Sequence, residues 1–120
     1  MTDTAQALQA FWGGFGIPAY STHTVPRGAQ LPYITYSLVE TEPLRSATHY
    51  AQVFCRATDN AWLLRKVDEI KTALGDGVMI PCEGGLVSLR PDSPFAQIMV
   101  DAVPENRCAY LNLQINCYHL

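Results

Sequence analysis

The sequence predicts an α+β domain: a mainly antiparallel β-sheet with two helices packed against it. Three observations predict it. Apolar residues recur at helical spacing in two stretches, one near the N-terminus and one after Asp59. They alternate residue by residue in six others. The breaks between the later strands are short and built of Gly, Pro, Asp and Asn, the chemistry that turns a chain back beside itself. In order the elements read α-β-β-α-β-β-β-β. They fall in a single domain, residues 1–120, a length that suits one hydrophobic core.

The first helix is expected over residues 3–15. Leu8, Phe11, Trp12 and Phe15 share one face, Asp3 stands where a cap belongs, and Gln6 follows three residues later as in a capping box. Gly13, Gly14 and Gly16 erode its end, and Pro18 closes it. A polar loop then runs to Gln30. Leu31 to Val39 reads as a strand, with Ile34, Tyr36 and Leu38 on one side and Tyr33, Thr35, Ser37 and Val39 on the other. Glu40 to Thr48 is a connection. Tyr50 to Ala57 is a second strand, with Ala51, Val53 and Cys55 on its apolar side, and the pair forms an antiparallel hairpin.

Asp59 is the expected N-cap of the main helix, residues 60–74. Leu63, Val67, Ile70 and Leu74 make its buried stripe, Trp62 widens it, and Gly75 and Gly77 stop it. Four strands follow: 78–82, 86–90, 95–102 and 108–118. The intervening turns are Glu83-Gly84-Gly85, Pro91-Asp92-Ser93-Pro94 and Pro104-Glu105-Asn106.

Composition narrows the function. Charged residues make up 16% of the chain, against roughly 25% in an ordinary soluble domain. Either neutral polar groups face water in place of charge, or part of the surface meets a partner, and the second reading is the one favoured here. A net charge of −3 with scattered basic residues argues against gripping nucleic acid, whose binders cluster Lys and Arg against phosphate. The N-terminus carries an acid and no apolar stretch after it, unlike a secretory signal. No apolar run approaches the roughly 18 residues that span a bilayer. The reading is a soluble protein made in the cytoplasm.

Catalytic chemistry is not written in the pattern, and the expectation is a non-enzyme with no catalytic, cofactor-binding or metal residues. His23 lies in a loop, His49 at a strand start, and His119 at the C-terminal end, where it reads as solvated; none sits in a nucleophile–base signature. Cys55, Cys82, Cys108 and Cys117 form no C-x-x-C pair and read as free, buried thiols. Asp68 and Glu69 are neighbours on a solvated helical face. Gly84-Gly85 is too short for a phosphate cradle and reads as a hairpin turn.

The last strand is unusual. Leu111, Leu113, Ile115 and Cys117 make an ordinary core face. Cys108, Tyr110, Asn112, Gln114, Asn116 and Tyr118 make another face with no charge. Solvated strands and edges normally carry charge. Amides flanked by tyrosines suit an adaptable protein contact. Tyr110, Asn112, Gln114 and Tyr118 are the candidate assembly interface. The competing reading places this face under a helix or a polar loop.

The layout resembles a known family. The strand Leu31-Pro32-Tyr33-Ile34-Thr35-Tyr36 follows an N-terminal helix and loop. The strand Tyr50-Ala51-Gln52-Val53-Phe54-Cys55 leads into the helix from Asp59 to Leu74. The chain ends on Ala109-Tyr110-Leu111-Asn112-Leu113-Gln114-Ile115. Over roughly residues 5–118, this element order is similar to the tail terminator, or tail completion, proteins of long-tailed bacteriophages and prophages. The resemblance implies a structural virion protein that forms a ring, usually of six subunits. Such a ring caps the tail tube, ends tail polymerisation and offers the head–tail joining surface. Its implied partners are copies of itself, the major tail tube protein and head–tail connector proteins, in the virion tail or neck. DNA passes through the channel without tight binding. Two other readings stand beside it: a head-completion or connector neck protein, and a small-molecule-binding α+β domain or an enzyme without a visible signature.

Overall fold

The structure, a computed structural model, describes residues 4–38, 46–100 and 103–119. The described residues hold two α-helices, α1 (Thr4–Trp12) and α2 (Asn60–Leu74), and six strands. The strands are β1 (Ala19–Ser21), β2 (Tyr33–Tyr36), β3 (Ser46–Arg56), β4 (Val78–Cys82), β5 (Gly85–Val100) and β6 (Asn106–His119). They form one sheet in the order β1-β2-β3-β6-β5-β4. Every pairing is antiparallel except β1–β2, which is parallel. The α+β class and the mostly antiparallel sheet stand as the periodicities predict.

The expected helix 3–15 is α1 followed by one tight 3₁₀ turn, Gly13–Phe15. The cap read at Asp3 lies outside the described residues. α1 buries Leu8 and Trp12 completely, and the turn adds Phe15; Phe11 stacks edge-on against both aromatic rings. α2 buries Leu63, Val67, Ile70 and Leu74, the stripe its spacing requires. Trp62 is half-buried beside it. Asp59 occupies the N-cap position but makes no side-chain capping bond, because a 3₁₀ turn over Ala57–Asp59 already leads into the helix. At the other end Gly75 (φ 54°) and Gly77 (φ 151°) turn the chain out of the helix, and their N–H groups bond Lys71 and Leu74 carbonyls.

Four expectations need correction. The polar loop to Gln30 contains a strand, β1, held parallel to β2 through Ala19↔Ile34 and Ser21↔Tyr36. Its three residues are too few for alternation to be visible. β3 starts at Ser46, inside the stretch read as a connection, and its first residues pair with Asn116 to Leu113 of β6. The strands expected at 86–90 and 95–102 are one strand as far as Val100, residues 101 and 102 lying outside the described ones, and residues 91–94 are an irregularity within it rather than a hairpin turn. Between Pro91 and Ala96 the strand advances five residues while β6 moves only from Leu113 to Leu111. The extra residues flip the alternation: Val87 and Leu89 face the helices before it, and Ala96 and Ile98 share that face after it. The element order is thus α-β-β-β-α-β-β-β.

Both helices pack on one face of the sheet. There Trp12, Leu63 and Ile70 share a core with Ile34, Val53, Leu89, Leu111, Leu113 and Ile115. The C-terminal strand lies in the middle of the sheet, between β3 and β5, and is the most deeply buried. At roughly 3.3 Å per residue, β5 and β6 account for the 46 Å long axis of the molecule.

Candidate assembly interface

Strand alternation sends every second residue of β3, β5 and β6 away from the helices. Register carries the resulting face across the sheet. Phe54 pairs with Cys108, Gln52 with Tyr110, Tyr50 with Asn112 and Thr48 with Gln114; on the other side Met99, Gln97, Arg90, Ser88 and Leu86 continue the same rows. Among the described residues no helix covers this face. Tyr110, Asn112, Gln114 and Tyr118 all lie on it, each half-buried. Of the two competing positions, no described helix lies over the face, while the irregular polar stretch of β5 reaches Asn112 through the Pro94 carbonyl.

Local contacts hold these side chains in place. The Tyr110 ring leans on Tyr50 with centroids 5.4 Å apart, and burial raises the Tyr110 hydroxyl pKa further above the working range. The Asn112 amide donates to the Pro94 carbonyl at 2.9 Å, tying β6 to the irregular stretch of β5. Arg90 donates to the Gln114 side-chain oxygen at 3.0 Å. The face is therefore neutral along β6 but carries cations beside it, Arg90 on β5 and Arg56 on β3, which the β6 pattern alone does not contain. The Asn116 side-chain oxygen is buried and has no hydrogen-bond partner among the described residues. Tyr33 stacks on Phe54, centroids 5.2 Å apart, extending the aromatic area toward β2. A hollow of about 260 Å³ opens between Tyr50 and Tyr110, lined also by Thr22, Thr35, Ser37 and Gln52. Every polar group lining it is a neutral hydroxyl or amide.

His49 is the polar residue whose place the sequence pattern misses. It lies within β3 rather than at its start, fully buried against the helices. The Trp12 indole N–H donates to its Nε2 at 3.0 Å, and its Nδ1 lies 3.3 Å from the Ser37 hydroxyl. Because Nε2 accepts from Trp12, the neutral ring carries its proton on Nδ1 and donates it to Ser37. The Ser37 oxygen also accepts from the Tyr50 N–H at 2.9 Å. A serine–histidine nucleophile needs an empty ring nitrogen facing the hydroxyl. Here that nitrogen is the donor, so this pair does not activate Ser37. Burial pushes the His49 pKa down to about 4, keeping the ring neutral at ordinary pH.

The remaining sequence candidates stay apart. Cys55, Cys108 and Cys117 are buried and Cys82 is half-buried, all as free thiols. Burial raises the pKa of Cys55 and of Cys117, which favours the unreactive thiol. Among the described residues, no three His, Cys, Asp or Glu side chains gather as metal ligands. His23 is exposed in its loop, and the position read for His119 concerns a side chain outside the described ones. Lys66 stands in a hollow on α2 with Trp62, Arg65 and Glu69, but its charge is already engaged by the Phe15 carbonyl at 2.8 Å and by Glu69 at 2.6 Å. No described helix is long and apolar enough to cross a membrane.

No protein-family model matches the chain, and no curated protein or solved structure does.

Proposed function

We propose that this chain is a non-enzymatic structural protein of a phage tail or neck. In this reading its copies form a closed ring, of six in the family it resembles, that caps the tail tube, ends tail polymerisation and presents the surface on which the head joins. The observation that carries the proposal is the open sheet face, neutral along β6, around Tyr110, Asn112, Gln114 and Tyr118. Tyrosines bring large amphipathic area at low entropic cost, and amides adapt to a partner's donors and acceptors. The hollow between Tyr50 and Tyr110 accommodates an inserted side chain of the kind that anchors interfaces. A channel through which DNA slides must not hold phosphate, and the net charge of −3 meets that need.

The testing experiment is tail capping. Purified protein is added to polymerising tail tube protein, and tube length and tube ends are followed by electron microscopy. Arrested growth with a ring at the tube end supports the proposal. Tubes that grow to the same length with no added density at their ends overturn it. Binding to DNA-filled heads instead of tubes would assign the protein to the connector side of the neck.

A further inference from the structure

We propose that the free edge of β5, residues Phe95–Val100, is a pairing edge on which a second copy of this chain lays its own β5, extending the sheet across a two-fold axis. β4 pairs with β5 only over residues 85–89. Beyond the irregularity β5 has β6 on one side and no described strand on the other. Among the described residues, no backbone partner meets the outward N–H and C=O groups of Phe95–Val100. Such a row is a template for strand addition.

Folded proteins guard their edges, and this one guards the others. β1 is only three residues long. β4 carries Pro81, which lacks an N–H, and α1 packs beside it. Phe95-Ala96-Gln97-Ile98-Met99-Val100 has neither a proline nor a charge. Its apolar side chains are open: Ile98 is 48% exposed, Met99 47% and Val100 68%. An uncharged, apolar, unpaired edge is what protein surfaces ordinarily avoid unless it is used.

Self-pairing is what the chemistry favours. An antiparallel strand laid against its own copy is self-complementary, since each residue meets the same set that it offers. Like charges opposite one another weaken such a pair, and this segment has none. Ala96, Ile98 and Val100 line the helix side of the edge while Gln97 and Met99 line the other. A two-fold axis therefore continues apolar against apolar on the helix side. Six residues meet six; the three-residue β1 of a neighbour would leave half the edge bare. This two-fold contact is independent of the head-to-tail contact that a ring requires.

Sedimentation velocity over a wide concentration range tests the idea. The expected result is a concentration-dependent dimer that is lost in the double variant Ile98→Lys, Val100→Lys. Both positions are exposed, so the variant monomer should melt as the wild type does. Hydrogen exchange of the wild type supplies a readout independent of any substitution. Amides in Phe95–Val100 should be protected at high concentration and exchange faster on dilution. Asn112→Glu, on the open face, should leave this dimer intact. A wild-type protein that is monomeric throughout, a dimer that survives both lysines, or exchange at Phe95–Val100 that ignores concentration would each overturn the proposal. Protection that appears only when tail tube protein is added would do so as well, since it assigns the edge to another partner.

Discussion

At the scale of single residues, His49 ties β3 to α1 and to the chain just beyond β2: its Nε2 accepts a hydrogen bond from the Trp12 indole N–H, and its Nδ1–H donates one to the Ser37 hydroxyl. The Tyr36 ring lies 6.5 Å from the His49 ring, and burial raises its hydroxyl pKa, so it stays neutral through the acid range. Folding therefore favours the neutral imidazole. The histidine pKa falls from 6.5 toward about 4 on folding, so the unfolded chain binds the extra proton first as pH drops. His49's share of stability is present above pH 6.5 and is lost between there and about pH 4. The size is on the order of 3 kcal/mol. Urea unfolding at a series of pH values should show this loss, and His49→Gln should flatten it within that window. Trp12→Phe should cost at least about 1–3 kcal/mol, because it strands the Nε2 acceptor in the core. A melting curve unchanged by Trp12→Phe would mean that the bond carries no net weight.

At the scale of elements, the two helices obey their periodicity because each needs only its own stripe of apolar residues to choose a buried face. α2 also needs its exit. Gly77 sits at φ 151°, and a Cβ there would stand 2.9 Å from the Arg90 side chain. Gly77→Ala should destabilise the fold by about 1–2 kcal/mol through backbone strain and displacement of Arg90. Thermal melting reads that cost, and Gly14→Ala, with open space around its Cβ, is the control expected to lie near wild type. In the strands, Leu111 is fully buried in β6 at the centre of the sheet. Leu111→Ala should cost roughly 2–5 kcal/mol, measured by denaturant unfolding.

Across the whole molecule, the question is what meets the open face. Gln97 is exposed opposite Tyr110 and its side chain makes no hydrogen bond among the described residues, so Gln97→Glu adds charge to the face with little effect on the fold. Asn112→Glu adds charge too but gives up the bond to Pro94, costing the monomer about 1 kcal/mol. Burying an unpaired carboxylate in a contact costs several kcal/mol. Both variants should fold, by circular dichroism, and both should fail in ring formation or tail capping. Variants that fold and cap normally would show the face to be merely solvated.

The sequence by itself determined the elements that local pattern can specify. These are the helical stripes from Leu8 to Phe15 and from Leu63 to Leu74, the core side of the last strand, and the neutral residues Tyr110, Asn112, Gln114 and Tyr118 on its other side. Periodicity decides which way a side chain points relative to its own backbone, and that needs no partner. Tertiary structure decided the rest. The parallel pairing of Ala19–Ser21 and the early start of β3 come from hydrogen bonds offered by distant strands, which make strand out of residues with no strand pattern. Continuity of β5 through two prolines depends on β6 holding both halves, although Pro91 and Pro94 locally signal a turn. The burial of His49 depends on Trp12 arriving from another element to satisfy it. Sheet order also placed Arg90 beside Gln114 and left Phe95–Val100 at an open edge. Such facts are non-local: they rest on which strands become neighbours, and no window of sequence contains both partners.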